Sequence, residues 1–98
     1  MAEYKLAQRA EDKLVEIYAS TENTFGRYQA DAYSAGFERT FGLLADFPRI
    51  GIEVEELANR HRRFRFQSHN IFYTEEPYGV VIRDIFHVAQ DIRPALFR

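Results

Sequence analysis

The stretch RHRRFRFQSHNIFY, residues 60–73, changes the rhythm of the chain. Phe64 and Phe66 alternate with Arg63, Arg65 and Gln67, the period-two pattern of a strand with one buried and one wet face. Ile71 to Thr74 supply a second strand. Glu75-Glu76-Pro77-Tyr78-Gly79 reads as a hairpin turn, in which proline fixes one φ angle and glycine permits a positive one. VVIRDIFHV, residues 80–88, follows as a long β-branched strand, apolar on both faces at several positions, which places it inside the sheet.

Upstream of residue 60 the apolar period is helical. Ala10, Leu14, Ile17, Tyr18, Thr21 and Phe25 fall on one stripe, and Asp12, Lys13 and Glu16 lie on the opposite, mostly acidic and exposed side. Gly26 breaks this helix. From Arg27 a second helix carries Ala30, Tyr33, Phe37, Phe41 and Leu44 on one face, and it ends before Pro48 because proline disfavours helix at the residue preceding it. Gly36 and Ala32 share another side. Glycine inside a helix costs about 1 kcal/mol relative to alanine, so Gly36 reflects either close helix packing or simple tolerance. Residues 3–7 form a short opening strand. The expectation is a single α+β domain over residues 1–98: a short N-terminal strand, an antiparallel two-helix hairpin, then an antiparallel β-meander with the helices packed on one sheet face.

Composition bounds the function. With 46% hydrophobic and 15% aromatic residues in 98, the chain has apolar material for a core and is no disordered segment. Its formal net charge of −2 argues against coating a polyanion, so any electrostatic hold must come from local clustering. The absence of cysteine removes disulfides, thiol catalysis and thiolate metal sites. The polar start MAEYKLAQRAEDKL holds no apolar run for export or membrane insertion, and a cytoplasmic protein without membrane contact is expected.

Several local patterns, in this order, resemble the ParE branch of the RelE/ParE toxin superfamily. They are Ala10 with Asp12 and Leu14 to Ile17; Phe25-Gly26; Gln29-Ala30, Tyr33, Leu44 and Pro48; Gly51 and Glu56-Leu57; then Arg65, His69 to Tyr73, Ile82 to His87 and Asp91. The resemblance covers nearly the whole chain. It implies the toxin of a type II toxin–antitoxin module, held inactive by a cognate antitoxin, commonly in a complex of two copies of each. ParE-like members poison DNA gyrase and stall replication, whereas RelE-like members cut messenger RNA on the ribosome.

Ribonuclease chemistry needs a proton acceptor for the 2′-hydroxyl, a proton donor for the leaving oxygen and cations on the phosphate. RelE-like toxins supply these with lysines and arginines near the sheet and a tyrosine near the carboxyl end. Here the only lysines are Lys5 and Lys13, the last tyrosine is Tyr78, and Leu96 and Phe97 near the end of the chain exchange no proton. The expectation is therefore a toxin with no catalytic residues, and the ribosome-dependent endoribonuclease remains the alternative. His87, four residues before Asp91, is the histidine placed to substitute in such chemistry; a strand-end histidine and a helix-capping aspartate explain the same letters. No pair among His61, His69 and His87 has the spacing of a zinc motif, and neither metal nor cofactor is expected.

The arginines complete the reading. If Phe64 and Phe66 pack under the helices, Arg63 and Arg65 project from the other sheet face, joined by Arg83 from the neighbouring strand. They form either a solvated face paired with Glu53, Glu55 or Glu75, or a patch for a partner such as an acidic antitoxin segment. The carboxyl-terminal segment with Asp91, Arg93, Phe97 and Arg98 is the candidate for target contact, or else a cover for a sheet edge. The partner-binding candidates are thus Arg63, Arg65, Arg83, His87, Asp91, Arg93, Phe97 and Arg98, with no sequence-specific nucleic-acid binding expected.

Overall fold

The computed structural model of the chain describes residues 2–57 and 60–90. Among them the elements run β1 (Glu3–Leu6), α1 (Gln8–Phe25), α2 (Arg27–Asp46), β2 (Ile52–Glu53), β3 (Arg62–Phe66), β4 (His69–Glu76) and β5 (Gly79–His87). The sheet order is β1-β5-β4-β3-β2. Strands β2 to β5 form the antiparallel meander, and β1 lies parallel to β5, from Glu3 beside Gly79 to Leu6 beside Ile82. The architecture is α+β, as its sequence periods require. β2 lies between the end of α2 and the arginine run, and its two residues are too few to leave a period in the sequence.

Gly26 alone joins the helices. Its φ of 93° and ψ of 170° end α1 and reverse the chain, while its N–H still bonds the Glu22 carbonyl. At the other end α2 stops at Asp46, and Phe47, which precedes proline, leaves the helical region.

Both helices cover one face of the sheet. Ala10, Phe37, Phe41, Leu44 and Ala45 meet Ile71, Tyr73, Val80, Ile82 and Ile85 in one core, with Leu14, Ile17, Tyr33, Phe64 and Phe66 packed against it. The far end of the α1 stripe departs from expectation: Phe25 is 70% exposed, and Tyr18 donates to the Asp31 carboxylate at 2.6 Å. Helical period alone cannot tell where a helix outruns the surface beneath it.

Ile82 and Ile85 are three residues apart yet both enter this core. A β-bulge explains it: Phe72 pairs with Asp84 and Tyr73 with Ile82, so Arg83 is an extra residue in β5. The bulge turns Asp84 and Phe86 to the helix-free face, where Phe72, Phe86, Leu57 and Val54 form a second, smaller core.

Two details of the helices differ from their sequence reading. Gly36 is buried against β3, not against α1, because a Cβ there would collide with the Phe66 ring. Lys13 does not belong to the exposed acidic side. It reaches around β5 beyond the stretch paired with β1, where its ammonium donates to Asp84 Oδ1 at 3.0 Å and to the Ile85 carbonyl at 3.2 Å. The same ammonium lies 3.8 Å from the Phe86 ring centroid.

Candidate functional site

The register places Arg63 beside Phe72 and Arg65 beside Asn70. Since Phe64 and Phe66 pack on the helix side, alternation sends Arg63 and Arg65 to the helix-free face, where both are exposed. Arg83 lies on this face as well, its Nε donating to Thr74 Oγ1 at 3.0 Å. Phe72 stands between Arg63 and Asp84 in register, so the small apolar core built on Phe72 and Phe86 separates the β3 arginines from Arg83.

Below that core a groove of about 1190 Å³ opens between the start of α1, the β4–β5 hairpin and the 49–62 segment. Arg9, Arg49, Arg60, Arg62 and Arg83 line it together with Glu53, Glu75, Glu76 and Asp84. Most of its acids are already matched. Asp84 holds Lys13 at 3.0 Å, Glu75 holds Arg49 at 3.3 Å and Glu76 holds Arg83 at 3.5 Å. Arg62 is fixed by the Gly51 carbonyl at 2.8 Å instead of by a carboxylate. Among the described residues, Arg60 and Arg63 make no ion pair within 4.0 Å, and Arg65 bonds the Gln67 carbonyl. The helices carry seven acidic residues to four basic ones, whereas the described residues outside them carry seven of each, so the cationic character is local to the run Arg60, Arg62, Arg63 and Arg65. Such a surface offers planar, bidentate donors to carboxylates or phosphates.

The candidates therefore fall into separate places. Arg63, Arg65 and Arg83 share a face. Their expected partners are revised: Arg83 takes Glu76, and Glu75 takes Arg49. His87 is elsewhere, opposite His69 at the end of β5, where His69 meets Tyr33 of α2. Asp91, Arg93, Phe97 and Arg98 lie outside the described residues, and so does the His87 and Asp91 spacing. The sequence reading missed Arg9, Arg49 and the buried His61 as groove residues. Arg60, His61 and Arg62 stood in the arginine run, whereas only the parallel docking of β1 brings Arg9 near them.

The described residues hold no cluster of three His, Asp or Glu side chains able to grip a metal ion. Both lysines have structural partners: Lys13 binds Asp84, and Lys5 lies 4.5 Å from the Tyr78 ring centroid. No helix among the described residues is long and apolar enough to cross a membrane.

A two-helix hairpin on a mixed sheet, with an arginine-lined groove, defines a small α+β domain. Residues 4–92 match the family described as "ParE toxin of type II toxin-antitoxin system, parDE". The chain is 30% identical over 96 residues to Toxin ParE1 of Caulobacter vibrioides, covering 98% of this chain and 99% of that protein. It is 28% identical over 90 residues to Toxin ParE1 of Mycobacterium tuberculosis, covering 91% and 92%. A solved structure titled "Chromosomal ParDE TA system from P. aeruginosa" superposes with a TM-score of 0.72 at 17% identity, covering 90% of this chain and 97% of that one. The chain belongs to the ParE toxin family of type II toxin–antitoxin systems.

Proposed function

We propose that this chain acts in the cytoplasm by binding DNA gyrase, stabilising the cleaved DNA intermediate and blocking replication, and that a cognate antitoxin neutralises it. The toxin performs no covalent step itself, because the topoisomerase supplies the bond breaking. The observation that supports this reading is the match of residues 4–92 to the ParE family, on a scaffold whose arginine groove is lined, among the described residues, by no lysine and no tyrosine. A RelE-type acid, base and phosphate clamp would place such proton-exchanging groups beside the arginines.

For the antitoxin, the site is the helix-free face. An acidic segment of that partner lies across Arg63 and Arg65 and enters the groove at Arg60, which makes no ion pair among the described residues, and at Arg83, which Glu76 holds at 3.5 Å. Asp91, Arg93, Phe97 and Arg98 are the proposed contacts to the target, and toxin and antitoxin rest as a heterotetramer or larger complex.

The decisive experiment incubates the antitoxin-free toxin with gyrase, ATP and supercoiled plasmid, then digests the protein and looks for linear DNA. Linear product that added antitoxin suppresses is the expected outcome. Untouched plasmid with newly cut messenger on translating ribosomes would replace this reading with the endoribonuclease.

A further inference from the structure

The end of the molecule away from the arginine groove holds a second cluster, built around the paired imidazoles of His69 and His87. Tyr33 of α2 places its hydroxyl 2.7 Å from His69 Nδ1. His69 and His87 are register partners on β4 and β5, with ring centroids 5.4 Å apart and planes at 83°. Phe37 of α2 stands with its ring centroid 5.8 Å from that of His69, and Phe66 of β3 is the strand partner of His69. Tyr33 and His87 are the titratable groups that meet His69 among the described residues, and neither offers it a negative charge near neutral pH.

Ser68, in the β3–β4 turn, connects this cluster to the chain beyond β5. Its carbonyl accepts from Val88 N–H at 2.9 Å. Ala89 N–H donates to His87 Nδ1 at 3.1 Å, and Gln90 N–H donates to the His87 carbonyl at 2.9 Å. The bond from Ala89 requires an unprotonated His87 Nδ1. Tyr33 and His69 Nδ1 share one hydrogen bond, whose donor is set by the imidazole tautomer. An imidazolium accepts at neither ring nitrogen, so the Ala89 contact belongs to a neutral ring, and two rings that both gained a proton at this spacing would repel.

We propose that Tyr33, His69 and His87 form an acid-sensitive latch that ties α2, the β3–β4 turn and the end of β5 together near neutral pH and loosens on acidification. Burial and then the nearby His87 hold the His69 pKa below its ordinary 6.5. The folded state therefore binds fewer protons than the unfolded chain. Stability from the latch is complete above about pH 6.5, declines as pH falls toward the lowered folded value, and levels off below it. The first segment released is Val88 to Gln90, directly before residue 91.

The test combines an NMR titration of the imidazole rings in the full chain with amide exchange at Val88, read from about pH 8 down to about pH 5. His69 is expected to titrate below about 6.5. After correction for intrinsic exchange, Val88 is expected to lose about tenfold protection in step with it. In H69Q the thermal midpoint should lose most of its dependence on pH across this window. A His69 that titrates at or above 6.5 overturns the latch, as does Val88 protection that ignores the titration. Both readings come from the unsubstituted chain, so the proposal stays testable even if H69Q does not fold.

Discussion

Lys13 and Asp84 are 71 residues apart and meet at 3.0 Å, joining the first helix to the bulged part of the last strand. Asp84 is only 3% exposed, and its Oδ1 also takes the Ile85 N–H at 2.9 Å. Lys13 is half-buried, so its ammonium gives up part of its hydration and relies on this contact and the Phe86 ring. Removing one partner of a buried pair leaves an uncompensated charge. Lys13→Met is predicted to cost about 2–4 kcal/mol in urea unfolding, whereas the double change Lys13→Met with Asp84→Leu recovers most of it. Equal losses in the single and double variants would show that packing, not charge, holds this edge.

Tyr73 performs a similar service for the loop after α2. Its ring is fully buried, its hydroxyl donates to the Pro48 carbonyl at 2.7 Å, and it accepts the Gly51 N–H at 2.9 Å. Burial raises its pKa, opposed by the bond from Gly51, so the phenol stays neutral near physiological pH. Tyr73→Phe keeps the ring and orphans both backbone groups, a predicted loss of about 1–3 kcal/mol. Faster amide exchange at Gly51 should accompany it. Unchanged exchange would mean that the loop is held by other contacts.

Gly26 and Gly79 both have positive φ angles, 93° and 149°, yet their surroundings differ. A Cβ at Gly26 meets open space, so Gly26→Ala carries only the backbone penalty of this positive-φ conformation, about 1–3 kcal/mol. A Cβ at Gly79 would strike the Glu3 carbonyl in the parallel β1 partner. Gly79→Ala adds that collision to a strain of the same order and is predicted to cost more than Gly26→Ala, with β1 amides losing protection first. Thermal unfolding of the two variants side by side ranks them, and equal midpoints would refute the argument.

These three sites show how far the chain could be read from its letters. The alternation at Phe64 and Phe66 and the helical stripes through Leu14 and Phe37 record which face is buried, and burial is what a period encodes. Lys13 and Asp84 were not legible, because a single extra residue at Arg83 reverses the face of everything after it. The β3 arginines were placed correctly because β3 alternates without a bulge. Arg9 and Arg49 enter the groove only through tertiary packing, which no local spacing records.

The arginine face yields the prediction closest to function. Arg63 and Arg65 are exposed and, among the described residues, make no ion pair, so their reversal removes little that stabilises the toxin alone. Arg63→Glu with Arg65→Glu should change the unfolding free energy by no more than about 0.5 kcal/mol. If an acidic antitoxin segment crosses this face, the same pair of changes slows its association about tenfold at low salt. The deficit should shrink as ionic strength rises, because salt screens exposed charges beyond about 10 Å at 0.1 M. Stopped-flow mixing of toxin and antitoxin at two salt concentrations measures this directly. An association rate insensitive to both substitution and salt would move the antitoxin site from the sheet to the helical hairpin, where Val15, Phe25 and Tyr28 stand exposed.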